Sequence, residues 1–290
     1  MNWYERMNEA IDYIEDNLRS QIDFGKISKI VGQSSVNFQR TFGTVADISI
    51  FEYIRRRKLT LAAFDLQNSS EKVIDIALKY GYESPEAFAR AFKDLHGASP
   101  SNARKYGLSL KAFPRITFLL SVKGDAVMEY RIENKEAFSV YGIEEIFDTD
   151  SEKTLKDIPA FWQKSWKTGK CDELLRSTND PSSSIHAICC YKETGENTFP
   201  YMIFAHKTKN CSTGGFSSVD VPAATWAIFK SENHTLEQTS GVIQSLNRRV
   251  YTDWLPTASY RKIDGYELEM YYCAGNNEFY AETWIRVEPK

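Results

Sequence analysis

No stretch of this 290-residue chain approaches the ~20 consecutive apolar residues that a bilayer-spanning helix requires, and its first residues are acidic and amphipathic where a secretory leader would be basic and apolar. Cysteine is sparse: Cys171, Cys189, Cys190, Cys211 and Cys273 form no Cys-x-x-Cys pair. A zinc site or disulfide framework is therefore not expected, and reduced thiols in the cytoplasm are the simplest account. Histidine is equally scarce, with His96, His186, His206 and His234 far apart. There is no Gly-rich phosphate loop and no nucleophile–base–orienter set, so no cofactor and no catalytic machinery are expected. A dominant charge sign is missing too, the formal net charge being −3. Residues 1–112 carry 16 basic against 14 acidic side chains, and residues 113–290 carry 20 against 25. Any nucleic-acid surface must therefore be local.

What the chain does have is a repeat. Ser34, Phe38, Arg40 and Phe42 recur fifty residues later as Ser84, Phe88, Arg90 and Phe92, each block preceded by a short apolar-periodic run. A repeat at fixed offset points to one supersecondary unit used twice, here helix, tight turn, helix. In the second copy, Ser70 is a candidate cap for a helix with Val73, Ile74, Ala77 and Leu78 on one buried face. Gly81 supplies the turn, Ser84 caps the next helix and Pro85 takes its first position. Ala87, Phe88, Ala91, Phe92 and Leu95 then face inward, leaving Glu86, Arg90 and Lys93 outward. In the first copy, a helix from Ser34 or Ser35 to about Phe42 is expected to expose Ser35, Val36, Asn37, Gln39 and Arg40. Gln and Arg can each bond two base-edge atoms at once. Between the copies, ISIFEYIRRRKLTLAAFDL reads as a spacer helix able to set two reading helices about one DNA turn, ~34 Å, apart. Its Arg55–Lys58 run reads either as a solvated helix face or, beside two such units, as phosphate contacts, with Arg56 the candidate.

The segment DIALKYGYESPEAFARAFKDLHGASPSNAR resembles the second helix-turn-helix of the AraC/XylS family of transcription regulators, and ISKIVGQSSVNFQRTFGTVADISIFEYIRRRKL resembles the first. The resemblance implies double-stranded DNA as a partner, with Gln39 and Arg40 at contacting positions and Arg90 at the matching position of the second unit. As a regulator of this class, the chain would also act on RNA polymerase. Two positions depart from the family: Asp47 stands where glycine is usual, and Val36 where a larger or more polar residue is usual.

From Val127 the texture changes to strand-helix-strand-strand, written twice. The strands are expected at Val127–Ile143, Ile185–Tyr191, Tyr201–Ala205, Phe216–Phe229, Tyr266–Tyr272 and Phe279–Val287, with helices at Leu155–Trp166 and Leu236–Tyr251. The fold class expected is an all-α double helix-turn-helix over 1–108, a connector over 109–124, and an α+β domain over 125–290 whose antiparallel sheet carries two helices. The phrases FSSVDVPAATWAIF, VYTDWLPTASY, YELEMYY and EFYAETWIRV, in that order, resemble the GyrI-like effector-binding domain, and the whole order of domains is similar to the Rob type of regulator.

Five of the six tryptophans lie in this half. On the last strand, Glu282 sits between Tyr280 and Trp284 on one face, a seat for an organic cation through ion pairing and cation–π contact. The competing account is the wet side of a half-covered sheet, carrying salt bridges. The GyrI-like resemblance places a groove carboxylate at Glu282 and aromatic positions at Trp226 and Tyr201; Trp166 completes the candidate set for a small lipophilic or cationic effector. Two other functions remain open: a hydrolase in which Glu282 and Tyr280 activate water, and a protein-interaction or drug-sequestering module.

Overall fold

In the computed structural model, which describes residues 2–105, 108–119 and 127–290, contacts divide the chain into two compact units. The first comprises Met1–Gly32 and Ile50–Leu119; the second comprises Gln33–Ser49 and Leu120–Lys290. Residues 120–124 of the expected connector lie outside the described residues.

The first unit is helical. Asn2 opens α1 (Trp3–Asp16) with a reciprocal capping box to Glu5, and Met7, Ala10, Ile11 and Ile14 form its buried stripe. Asp23 caps α2 (Phe24–Val31), which ends at left-handed Gly32. The chain returns to this unit after residue 49, with α4 (Ile50–Asn68), 19 residues and about 28 Å long. Next come α5 (Val73–Lys79), a turn through Gly81 at φ 78°, and α6 (Pro85–His96), capped by Ser84 with Pro85 at its first position. The short α7 (Pro100–Ala103) closes the unit. Leu59, Ala62, Leu66, Ile76, Ala77, Tyr80, Phe88, Phe92 and Leu95 share one core.

Two local expectations for α5 fail. Its N-cap position is Lys72, without a side-chain bond, and not Ser70. Ile74 and Leu78 are 45% and 59% exposed. The buried stripe runs through Val73, Ile76, Ala77 and Tyr80, because the large Tyr80 ring goes inward and sets the helix phase.

The second unit takes in α3 (Ser35–Ala46), which Ser34 caps, together with one eight-stranded antiparallel sheet. The strands are β1 (Glu129–Lys135), β2 (Phe138–Asp148), β3 (His186–Cys189), β4 (Thr198–His206), β5 (Ser217–Val221), β6 (Ala224–Lys230), β7 (Tyr260–Gly275) and β8 (Glu278–Pro289). Helices α8 (Ser151–Lys167) and α9 (Lys170–Ser177) lie between β2 and β3. A short 3-10 turn, α10 (Thr239–Arg249) and a π turn at Val250–Trp254 lie between β6 and β7. Two expected strands are each a pair: Val127–Ile143 is broken at Glu136–Ala137 and Phe216–Phe229 at Pro222–Ala223. The second helix of the first half, α9, is not foreseen by the sequence reading.

The strand order β1-β6-β8-β7-β3-β4-β2-β5 explains the duplication. From the outside inward, one half reads β2, β4, β3 and the other β6, β8, β7; the halves meet where β3 pairs with β7. The leading strands are exchanged, β1 pairing with β6 and β5 with β2. One sheet face, with Tyr141, Ile143, Phe147, Phe199, Tyr201 and Ile203, packs with Phe161, Cys171 and Leu174 of the helices. The opposite face buries a second cluster including Ile188, Met202, Trp226, Leu268, Met270 and Trp284. Gly142 lets β2 approach β4 closely, since a Cβ there would overlap the carbonyl of Ile203.

Candidate DNA-reading helices and a ligand groove

Within the first unit, α6 presents Glu86, Arg90 and Lys93 to solvent, as the apolar pattern predicts, while Phe88, Phe92 and Leu95 are buried. Arg56 is engaged inside the same unit: its Nε donates to Glu52 and its guanidinium lies 5.1 Å from the Phe113 ring centre. Arg57 is held harder, donating to Glu15 and to the Phe113 carbonyl. Burial pushes the Glu15 carboxyl up, but hydrogen bonds from Arg57 and Tyr53 outweigh it and hold the pKa below the usual value.

Helix α3 departs from expectation. Ser35 and Val36 are half-buried, and Asn37 and Gln39 are buried, Gln39 to 1% exposure. Arg40 is largely covered. Gln39 Nε2 donates to the Glu196 carbonyl and to Asn197 Oδ1, both at 3.1 Å, and Gln39 Oε1 accepts from Thr149 Oγ1. Arg40 Nη1 reaches Glu267 at 3.0 Å and Cys190 Sγ at 2.8 Å; Nη2 reaches Cys189 Sγ at 3.3 Å. The Phe199 ring centre lies 4.6 Å from the Arg40 guanidinium. Val36 packs on the helix-side core. The Ser34 amide donates to Asp264, and Asp47, in the left-handed conformation that glycine would favour, pairs with Arg248. The sequence pattern cannot show this, because Gln39 and Arg40 meet residues 110 to 227 positions away.

The partners of Arg40 belong to a groove at the centre of the sheet, where β3 meets β7. Glu267, Glu269 and Tyr271 alternate onto the helix side of β7. Glu267 accepts from Arg40, pairs with buried Lys262 at 2.7 Å and receives the Tyr251 hydroxyl at 3.3 Å. Burial raises the Glu267 pKa, yet Arg40 and Lys262 outweigh it and hold the carboxyl far below its ordinary value. Burial, then Glu267, pushes the Tyr251 phenol up to about 12. Two residues along, Glu269 accepts from Tyr201 at 3.0 Å, Tyr271 at 2.8 Å and Asn247 at 3.1 Å. Trp162 Nε1 donates to the Tyr201 hydroxyl at 2.9 Å. Among the described residues, these hydrogen-bond partners of Glu269 are all neutral. A carboxylate framed by two phenols and an indole is an unneutralised negative site of the kind that attracts an organic cation.

The five effector candidates named from sequence do not converge. Tyr201 lines the groove, and Trp166 is exposed on α8. Glu282, Tyr280 and Trp226 lie on the opposite sheet face. Glu282 is 5% exposed and already paired, accepting from Arg131 at 2.7 and 3.1 Å and from Trp284 Nε1 at 2.8 Å. Tyr280 stacks on Tyr272, and Trp226 is fully buried. The overlooked residues Glu267, Glu269 and Tyr271 carried a signal: acids at i and i+2 followed by a tyrosine, on a strand too apolar on its other face to be an edge.

A helix-turn-helix region with one solvent-facing reading helix, joined in one chain to an α+β domain with an acidic aromatic groove, defines a DNA-binding regulator with an effector-binding domain. Residues 27–106 match the helix-turn-helix domain family. Residues 131–287, more than half of the chain, match the integron-associated effector binding proteins, and the chain belongs to that family. The helical part is 39% identical over 95 residues to the HTH-type transcriptional activator AarP of Providencia stuartii, a match covering 33% of this chain and 70% of AarP. It is 36% identical over 98 residues to the multiple antibiotic resistance protein MarA of Escherichia coli (strain K12), covering 34% of this chain and 77% of MarA. Among solved structures, SAV2435 bound to tetraphenylphosphonium is 14% identical with a TM-score of 0.44, over 56% of this chain and 94% of that one. Among the described residues no helix is long and apolar enough to cross a membrane.

Proposed function

We propose that this regulator reads duplex DNA through α3 and α6 and senses a lipophilic organic cation in the groove of its C-terminal domain. Ser35, Val36, Asn37, Gln39 and Arg40 of α3 and Glu86, Arg90 and Lys93 of α6 are the reading set, with Arg56 toward phosphate. RNA polymerase is the partner through which bound regulator acts, in the cytoplasm, and the groove binds without turning its ligand over. The domains assigned are 1–108 for DNA and 125–290 for effector, with 109–124 between them.

The observation that carries the effector reading is Glu269, a carboxylate with neutral partners inside a frame of Tyr201, Tyr271 and Trp162. Glu282 has spent its charge on Arg131. Titrating the full chain with tetraphenylphosphonium, and with neutral triphenylphosphine oxide as control, followed by tryptophan fluorescence, tests the assignment. Saturable quenching by the cation alone is expected, weakened about 30-fold or more in Glu269→Gln and unchanged in Glu282→Gln. The reverse ranking would return the site to the opposite face of the sheet.

A further inference from the structure

Helices α3 and α6 are the two copies of one repeat, yet the structure treats them differently. Arg90 of α6 is exposed. Arg40, its counterpart, is drawn into the groove and bonded to Glu267, Cys189 and Cys190. The side of α3 that its sequence offers to DNA is the side covered: Gln39 is tied to Thr149, Glu196 and Asn197, and Val36 is packed on the sheet core. Both ends are pinned as well, Ser34 by Asp264 and Asp47 by Arg248.

Two further observations say what kind of state this is. Between Arg40, Thr41 and Thr44 of α3 and Asn247, Tyr251, Glu267 and Thr283 of the domain, only about 30 Å³ remains, room for a water or two and not for an organic cation. The fit is also incomplete, since Asn37 Oδ1 is buried with no hydrogen-bond partner among the described residues. A surface polar residue buried without a partner is expected of a helix that has a second place to be.

We propose that the groove holds the chain's own α3 in an autoinhibited state, with Arg40 occupying the place of a cationic ligand on Glu267. An organic cation entering beside Glu269 displaces that guanidinium and frees the helix for DNA. The guanidinium and a ligand cation compete for one acidic groove, so ligand affinity measured on the full chain is reduced by the docked fraction, and ligand shifts the population toward free α3. The displacement step rests on the effector assignment made above; the docking of α3 does not.

Hydrogen–deuterium exchange of residues 35–46 in the full chain, together with binding to a duplex selected from a random pool, separates the two. Glu267→Gln is expected to speed exchange in α3 at least tenfold and to tighten DNA binding by a similar factor. Arg248→Ala and Asn197→Ala, both at solvent-exposed positions, should each give two- to fivefold effects in the same direction, and they decide the matter if Glu267→Gln also loosens the sheet. Saturating tetraphenylphosphonium should reproduce the Glu267→Gln behaviour on the unmodified chain. If the variants free α3 but the cation neither binds nor acts, docking stands and the effector reading falls. If the cation quenches fluorescence while exchange and DNA affinity stay unmoved in every case, autoinhibition is refuted and the effector reading survives.

Discussion

Acid should weaken the C-terminal domain before it touches any carboxylate, and His186 is the reason. The ring is buried on the apolar sheet face, with the rings of Phe204 and Tyr272 each 5.5 Å away and His206 at 5.8 Å. Its Nδ1 accepts the amide N–H of Tyr271 at 3.1 Å, a bond only an unprotonated nitrogen can make. Burial, with a smaller push from His206, lowers its pKa to about 3. Unfolded, the same ring titrates near ~6.5. Between those values the unfolded chain holds the extra proton, so stability is complete above ~6.5 and falls as pH drops below it. Each pH unit is worth ~1.4 kcal/mol, giving about 2 kcal/mol lost by pH 5 and a melting temperature lower by roughly 4–8 °C. His206, also lowered by burial, acts in the same direction. Glu267 contributes with the same sign but only at lower pH, because its depressed pKa keeps it ionised until below the free-carboxylate range, about pH 4. Thermal melts followed by tryptophan fluorescence report this domain, which holds five of the six tryptophans. His186→Gln, which keeps an acceptor for Tyr271, should flatten most of the pH 5–7 slope. A flat profile in the unmodified chain, or an undiminished slope in the variant, would refute the reasoning.

Gly142→Ala should destabilise the same domain by several kcal/mol, because the added carbon overlaps the Ile203 carbonyl and two paired strands must part, and urea unfolding would show it. Ser84→Ala removes the side-chain cap of α6 and should cost about 1 kcal/mol in the helical unit, read by the same method. Arg90→Ala should relax discrimination at one base pair, at a cost of about 1–3 kcal/mol there, whereas a uniform loss across sequences with a salt slope lower by about 1 would make Arg90 a phosphate contact.

The repeat made α6 legible because every decision there is local: a capping serine, a proline at the first helical position, a glycine turn and an apolar face. The phase of α5 was not, since Tyr80 counted for nothing in a pattern of aliphatics yet fills the core. Strand–helix order in the second half was readable from periodicity, and that sufficed for the fold class. The groove was not, because it depends on which strand is central. Glu282 and Glu269 look alike in sequence, each on an alternating strand with a tyrosine two residues away. Only the pairing of β3 with β7, and the reach of Arg131 across β6 to Glu282, separates them. The burial of α3 lay furthest out of reach, its partners being brought to it by the sheet alone.

The exchange of leading strands has a consequence for how the domain is made. Glu129 pairs with Lys230, and Phe138 with Val221, so neither half has its full set of strands until the other has been synthesised. Such non-local pairing closes long loops before it yields any contact, which slows folding. While the ribosome extends the chain between those segments, β1 has no partner edge and stays an unpaired strand until β6 has been made. A cut anywhere between the halves would therefore leave each fragment with an unpaired strand edge and neither with a complete sheet.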